Sequence, residues 1–534
     1  MPRAELTPLN HVQWIKLLKQ IDYPCELSAR IVSGIESGVD IGFEGDRDVS
    51  RDCVNLRSAD GDALAEAAVT AIIAADVLAG YKAGPFDTRP YLIMSISPIG
   101  AVPKGISAWR VIHHLSYPHG GDSINFNVAD MPCTLGSFDR ACEMIRQLGP
   151  GCWLIKIDVK SAYKLIPVRA EDWPLLGFRW RGKYYYERTL PFGLKSSCAI
   201  WEWYATAMHA FIEKIVGVEY IVHYIDDFLF VIQQRSVAAR QLTAVQRMCE
   251  GLGVPIAPEK TEGPTTRLTF LGVELDTVAM TARLSESKLA LLVSLLDGWA
   301  GKQHATKVEL QSLCGKLQWA CQVIRPGRSY LRRIIDFTTT FGTYGGSRAI
   351  TREVRMDIAW WGQFAPTCNG HSMLYNEQWS AAPLVEIYTD ACERGYGAVF
   401  GNRWIRGAWS PTQLQAARNR TAKDGSKLSM PYLELLALLL AVATWAPRWA
   451  NMRITLRIDC LPVVQAIERR ASTLERSMAL IRALHTLCAR HSCDVRAIHV
   501  PGVLNVSADA LSRDKPGDEE RFRAHSPHAN QHAD

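Results

Sequence analysis

Two adjacent aspartates, Asp226 and Asp227, lie between apolar runs in EYIVHYIDDFLFVI (219–232). A solvent-exposed hairpin ordinarily turns on Asn-Gly or Asp-Gly, not on paired like charges. Carboxylates set between buried strands repel unless a cation neutralises them, so the pair points to a metal site rather than to an acidic surface turn. IKIDVKSAYKLIPV (155–168) presents Asp158 at the end of a second apolar, strand-like run. Brought to one sheet edge, Asp158 and Asp226 would hold paired divalent ions ~3.5–4 Å apart, which activate an attacking oxygen and stabilise a departing one. Magnesium suits that task because it prefers carboxylates plus phosphate oxygens to a closed protein cage.

A second acidic set recurs downstream. VEIYTDACERGYGAVF (385–400) ends a β-rich run on Asp390, and MPYLELLALLLAV (430–442) puts Glu434 near the start of an apolar helix. RITLRIDCLPVVQAI (453–467) ends a strand on Asp459, and NVSADALSR (505–513) offers Asp509 in a short helix. Each acid alone has a plain structural role; Asp459 before a helix is also a natural N-cap. Four acids at strand ends and helix starts suggest a shared cation, because burying each without one costs several kcal/mol.

The elements that must position these acids follow from the pattern around them. At 534 residues, with 48% hydrophobic and 21% charged residues, the chain is expected to form several globular domains, not a disordered or collagen-like polymer. The stretch Leu435–Ala446 is too short for the ~20 residues of a membrane span, and no signal-like segment opens the chain, so no membrane partner is expected. The 14 cysteines form no C-x-x-C pair, which argues for buried thiols in an intracellular, reducing compartment. The run 97–115 reads as a hairpin with a basic tip, and 153–276 alternates strands with helices. From 285 to 340 the chain turns helical and carries Lys302, Lys307, Lys316, Arg325, Arg328, Arg332 and Arg333. That run is either a solvated face or one that tracks phosphates.

Tyr224-Ile225-Asp226-Asp227 is similar to the Tyr-x-Asp-Asp signature of reverse transcriptases, and Asp158 matches that family's first catalytic aspartate. LPFGLKSS (190–197) resembles the Leu-Pro-x-Gly motif that lines the nucleotide pocket, here with Phe192 and Gly193, and Phe270-Leu271-Gly272 resembles the primer grip. The resemblance implies that Lys104 and Arg110 clamp the triphosphate, that Lys260 serves the leaving pyrophosphate, and that Tyr163 excludes a 2′-hydroxyl. Asp390, Glu434, Asp459 and Asp509 resemble the Asp-Glu-Asp-Asp quartet of ribonuclease H, with Cys392 and Cys460 where Ser and Asn are common. His499 falls on the strand before the last aspartate and is left out of that catalytic set.

The implied fold is multidomain α/β: a right-hand polymerase of fingers, palm and thumb, then a helical connection and a ribonuclease H-like α/β domain. On this chain the expected bounds are an N-terminal helical extension at 1–90, fingers and palm at 91–280, and a basic, helical thumb and connection at 281–375. The ribonuclease H domain is expected at 384–513 and a disordered polar tail at 514–534. The implied activity is RNA-directed DNA synthesis with cleavage of the RNA strand, using two Mg2+ ions per site with Mn2+ as a substitute. Its substrates would be an RNA template, a DNA primer, the RNA–DNA hybrid and dNTPs. The domain order resembles LTR-type retroelements. Asn55-Leu56-Arg57-Ser58-Ala59, Gly84-Pro85-Phe86 and VIRPGRSYLRR (323–333) look most like DIRS-like elements, which pair with a tyrosine recombinase; a gypsy-type or pararetroviral polyprotein is the alternative. A different reading is a domesticated relative that binds nucleic acid without catalysis.

Overall fold

The computed structural model describes residues 7–48, 50–60, 63–104, 108–119, 121–342, 346–369, 386–418, 427–450, 452–472, 474–491, 493–513, 517–529 and 531–532. The chain divides into two compact units, residues 1–268 and 269–534.

The first unit begins with helices α1 (His11–Gln20), α2 (Cys25–Ser37) and α3 (Ala63–Leu78) and strands β1 (Lys82–Phe86), β2 (Ile99–Lys104) and β3 (Ala108–His113). Strands β4 (Trp153–Asp158), β5 (Gly177–Trp180) and β6 (Lys183–Glu187) follow, then helix α4 (Ser197–Phe211). Strands β7 (Ile221–Tyr224) and β8 (Asp227–Ile232), helix α5 (Arg235–Leu252) and strand β9 (Glu262–Thr265) complete it. The central sheet has the order β7-β8-β4-β9. Leu154, Ile155 and Ile157 of β4 and Phe228, Leu229 and Phe230 of β8 are all fully buried, so both faces of these strands are covered. That explains why they read as continuous apolar runs rather than as alternating ones.

Residues 1–90 do not form a separate helical extension. Trp14 of α1 is buried edge-on against Tyr204 and Phe211 of α4, with ring centroids 5.7 and 5.6 Å away. Its indole N–H donates to the Leu252 carbonyl at 3.1 Å. Removing such a ring from a core costs about 3–5 kcal/mol. The apolar stripes of α1 and α2 thus belong to the same core as the central sheet. Helix α3 covers a smaller cluster with Phe178 and Trp180 of β5, and β1 pairs with β6.

Next in the chain is a three-stranded sheet, β10 (Arg267–Phe270), β11 (Val273–Asp276) and β12 (Thr281–Leu284). Helices α6 (Glu286–Ala300), α7 (Lys307–Ala320), α8 (Arg332–Thr339) and α9 (Arg352–Cys368) follow. Then come strands β13 (Glu386–Ala391), β14 (Gly395–Phe400) and β15 (Arg403–Ala408), helix α10 (Met430–Trp445), strand β16 (Arg453–Ile458) and helices α11 (Leu461–Arg469) and α12 (Glu475–Arg490). Strand β17 (Asp494–His499), helices α13 (Val506–Arg513) and α14 (Asp518–His525) and strand β18 (Gln531–His532) end the chain. The mixed sheet runs β17-β16-β13-β14-β15-β18, with β13, β16 and β17 parallel to one another.

The segment Met430–Arg448 is long and apolar enough to cross a membrane by length and composition. Leu435, Leu438, Ala441, Val442 and Trp445 nevertheless pack into the core of this sheet, as a central helix of a globular domain does.

One further expectation is corrected here. The tail is not disordered throughout: α14 buries Phe522 against Trp404, ring centroids 5.7 Å apart, and β18 pairs in parallel with β15. Phe522, Ala529 and the Trp404–His532 ring pair fasten it, apolar anchors too sparse to show as periodicity. The basic run, open between a solvated and a phosphate-tracking face, is in large part ion-paired. Lys302 pairs with Glu309, Arg325 with Asp494, Arg332 with Asp336, and Arg333 with both Asp357 and Glu475. Among the described residues, Lys316 and Arg328 stand exposed and form no ion pair.

Candidate active sites

The first site is built by the pairing of β4 with β8, which sets Asp158 directly opposite Asp227. The β7–β8 turn has Ile225 at φ +57°, in the left-handed region that a β-branched residue avoids. Such a conformation costs of order 1–3 kcal/mol and persists only where neighbours enforce it. The Trp201 indole N–H donates to the Ile225 carbonyl at 2.8 Å, and the Val159 N–H to the Asp226 carbonyl at 2.9 Å. The strained turn directs Asp226 toward Asp158. One carboxylate oxygen from each of Asp158, Asp226 and Asp227 lies within 4.8 Å of the others.

Burial first, then the neighbouring carboxylates, pushes Asp227 up to about 6. Burial and the Asp158 charge likewise raise Asp226. Asp226 and Asp227, both raised beside the Asp158 carboxylate, are a fit to a divalent cation, which relieves the repulsion. Lys260 donates to both Asp158 oxygens, at 2.7 and 2.8 Å. Burial pulls its ammonium down, but the hydrogen bond and charge of Asp158 outweigh that and hold it above its ordinary value. Without nucleotide, therefore, Lys260 is a partner of the first aspartate.

The other pocket residues converge from three segments. The Tyr163 ring lies 5.1 Å from Phe192, and the Arg110 guanidinium carbon 4.6 Å from the same Phe192 ring. These three line a cavity of about 610 Å³ with Asp158, Asp226 and Lys260. Gly193 sits at φ +114°, where a Cβ would meet the His113 carbonyl oxygen at 2.0 Å. Only glycine lets the motif close against β3. Lys104 ends β2, but its side chain lies outside the described residues.

Sequence reasoning missed the far wall of this cavity. Lys82 is buried there between Glu187, at 2.5 Å, and Asp76, at 3.4 Å, and Lys164 pairs with Asp76. These partners come from segments far apart in the chain, and no local signal marks them. It also missed Cys198 and Cys133, whose sulfurs are 3.8 Å apart beside Tyr163.

The second site lies in the mixed sheet. Asp390 stands on the central strand β13, Glu434 in the first turns of α10, and Asp459 directly after β16. One oxygen from each lies within 4.8 Å of the others. Burial, then Asp390 and Asp459, pushes Glu434 up to about 9, and its Oε2 is buried without a hydrogen-bond partner. Burial raises Asp390 to about 7 with help from Asp459 and Asp509, against the hydrogen bond donated by Ser512. An orphaned carboxylate oxygen inside an acidic trio fits a divalent ion.

The fourth acid departs from the expected quartet. Asp509 is near enough for its charge to raise Asp390 and Asp459. Its own oxygens are held elsewhere: Arg513 Nε donates to Oδ1 at 2.6 Å and Arg521 Nη1 to Oδ2 at 2.9 Å. Helix α13 reaches the site because Gly397 lets it lie on β14; a Cβ there would meet the Ala508 carbonyl oxygen at 2.6 Å. His499 closes β17 opposite Ile458 and is not in the acidic trio.

The raised values predict a pH dependence. An acid whose folded pKa exceeds its unfolded value contributes stability that is fully present below the unfolded pKa of ~4. That contribution is lost as pH rises through about 7 for Asp390 and about 9 for Glu434. Metal-free protein should therefore melt at a lower temperature as pH rises from ~5 to ~9, and Mg2+ should restore the loss. Glu434→Gln should flatten the dependence; calorimetry at three pH values, with and without Mg2+, checks it.

Residues 113–275 match the family described as "Reverse transcriptase (RNA-dependent DNA polymerase)", and residues 373–459 match "Pao retrotransposon-like RNaseH-like domain". The Gag-Pro-Pol polyprotein of Human T-cell leukemia virus 3 (strain Pyl43) is 27% identical over 257 residues, which is 46% of this chain and 16% of that polyprotein. The Transposon Tf2-3 polyprotein of Schizosaccharomyces pombe is 23% identical over 381 residues, 68% of this chain and 25% of that one. The chain thus spans a quarter or less of the length of these relatives. Among solved structures, the foamy viral protease-reverse transcriptase in complex with an RNA/DNA hybrid covers 91% of this chain and 62% of its own, at 14% identity and a TM-score of 0.47.

Proposed function

We propose that this chain, a reverse transcriptase domain followed by a ribonuclease H-like domain, copies the RNA of an LTR-type retroelement into DNA and cuts the RNA strand of the resulting hybrid. The observation that carries the reading is the pair of acidic trios, each with oxygens within 4.8 Å, one in each matched domain. Divalent metal, Mg2+ or Mn2+, would supply Lewis-acid stabilisation of phosphoryl transfer when bound. Asp158, Asp226 and Asp227 would hold it at the polymerase site, and Asp390, Glu434 and Asp459 at the nuclease site, with Asp509 joining. Arg110 and Lys260 neutralise the triphosphate, and Tyr163 and Phe192 form the wall beside the sugar.

The finer element class we propose is DIRS-like, acting inside the cell alongside a tyrosine recombinase of the same element. It is supported by the segments at 55–59, 84–86 and 323–333. Co-purification with that recombinase tests the partnership. Primer extension on an RNA template with dNTPs and Mg2+ tests the activity itself. Absence of any extension would favour a silent nucleic-acid-binding relative instead.

If Tyr163 excludes the 2′-hydroxyl, Tyr163→Ala should raise the ratio of rNTP to dNTP incorporation efficiency about tenfold or more. A ratio like that of the wild type would make the ring a core aromatic only.

Of the basic run, the exposed cations without an ion pair are the most readily available to phosphates. Lys316→Gln with Arg328→Gln should lower the log–log salt slope of hybrid binding by ~0.9 for each phosphate that is no longer neutralised. Arg333→Gln, which removes a partner of Asp357 and Glu475, should instead lower thermal stability and leave the slope alone.

A further inference from the structure

The C-terminal segment places a cation on the one acid that stands apart from its trio. We propose that Arg521 is a positioning residue that holds Asp509 in reserve and passes to a phosphate of the RNA strand when the hybrid docks, releasing Asp509 toward the metal site. The inference rests on the ribonuclease H reading and goes beyond it.

Arg521 does not reach Asp509 by chance of a loose tail. Phe522, next to it, is buried against Trp404, and Ser507 and Ser526 share a hydrogen bond at 2.7 Å. The Gln531 N–H donates to the Asn402 carbonyl at 3.1 Å, and β18 continues the sheet. This clasp leaves the Arg521 side chain 46% exposed while the Asp509 side chain is only 15% exposed. The guanidinium is therefore open to an incoming polyanion, and the carboxylate beneath it is covered.

The two arginines on Asp509 differ in kind. Arg513 lies four residues on in the same helix and moves with the aspartate. Arg521 comes from another helix, so its contact can open without disturbing α13. With one guanidinium on each oxygen, Asp509 keeps one lone pair per oxygen but has its charge compensated and its orientation fixed by the arginines, which weakens its draw on a divalent ion. A guanidinium exchanges a carboxylate for a phosphate with little loss, because both accept its planar fork. A backbone phosphate arriving beside the trio needs a counter-cation; Arg513 and Arg521 are both half-exposed there, and Arg521 is the one whose contact opens without moving α13.

The proposal predicts opposite signs for two measurements on Arg521→Ala in the full chain. Mn2+ affinity without nucleic acid, measured by calorimetric titration in an Asp226→Asn background that weakens the polymerase site, should tighten several-fold. KM for hybrid cleavage at saturating Mg2+ should rise about tenfold, the loss of one charge-assisted hydrogen bond. Arg521→Lys should fall between wild type and alanine in both. A merely structural arginine would weaken metal and substrate together, and that result, or an unchanged value of either, overturns the proposal. Asp390→Asn in the same background separates the two readings. If it leaves Mn2+ binding intact, the nuclease metal site itself fails. If it weakens binding while Arg521→Ala changes nothing, only the role of Arg521 fails.

Discussion

Asp226→Asn should reduce primer extension about a thousandfold or more while RNA cleavage of a preformed hybrid continues. The effect is large because the substitution removes a metal-binding charge from a reaction whose barrier the metals lower by several kcal/mol. The change is also sterically small. Asp226 sits in a turn held through backbone carbonyls by Trp201 and Val159, contacts that asparagine leaves in place. The fold should survive, and relief of carboxylate repulsion should if anything raise the melting temperature of metal-free protein. Extension of a labelled primer, run beside a labelled-RNA hybrid, measures both activities. Near-normal synthesis by the variant would remove the polymerase assignment.

Asp390→Asn should give the mirror image: RNA cleavage falls to background while first-strand synthesis proceeds, so full-length RNA–DNA hybrid accumulates. Asp390 lies on the central strand β13, and it, Glu434 and Asp459 all belong to the second unit. Asp158, Asp226 and Asp227 belong to the first, and no side chain is shared. Loss of a metal-dependent path is again worth several kcal/mol. Undiminished cleavage on a denaturing gel would refute the trio, whereas loss of both activities would show that the two units depend on each other for folding.

Both trios were legible because an acid at the end of an apolar run is a local event. Asp158, Asp226, Asp390 and Asp459 each stand at or just past the end of an apolar strand, and Glu434 is a lone charge in the first turns of an apolar helix. Any fold that buries those runs must bring the acids to an edge and then neutralise them. The Lys82–Glu187–Asp76–Lys164 network is the opposite case. Each residue taken singly reads as a surface charge, and burial is affordable only because its partners arrive from other segments. Likewise, a run of seven cations from Lys302 to Arg333 looks uniform in the chain. Distant acids such as Asp357, Glu475 and Asp494 decide which of them remain available.

By itself, then, the amino-acid order marked the carboxylates that end apolar runs and the strands that carry them, since strand patterning is written in neighbouring residues. The tertiary structure alone decided that α1 and α2 belong to the core of the central sheet, that the C-terminal segment docks, and that Asp509 is bonded by Arg513 and Arg521. These outcomes turn on ion pairs and isolated apolar contacts that no periodicity in the chain announces. Their energies depend on burial and on the distance between partners, and neither exists until the chain has folded.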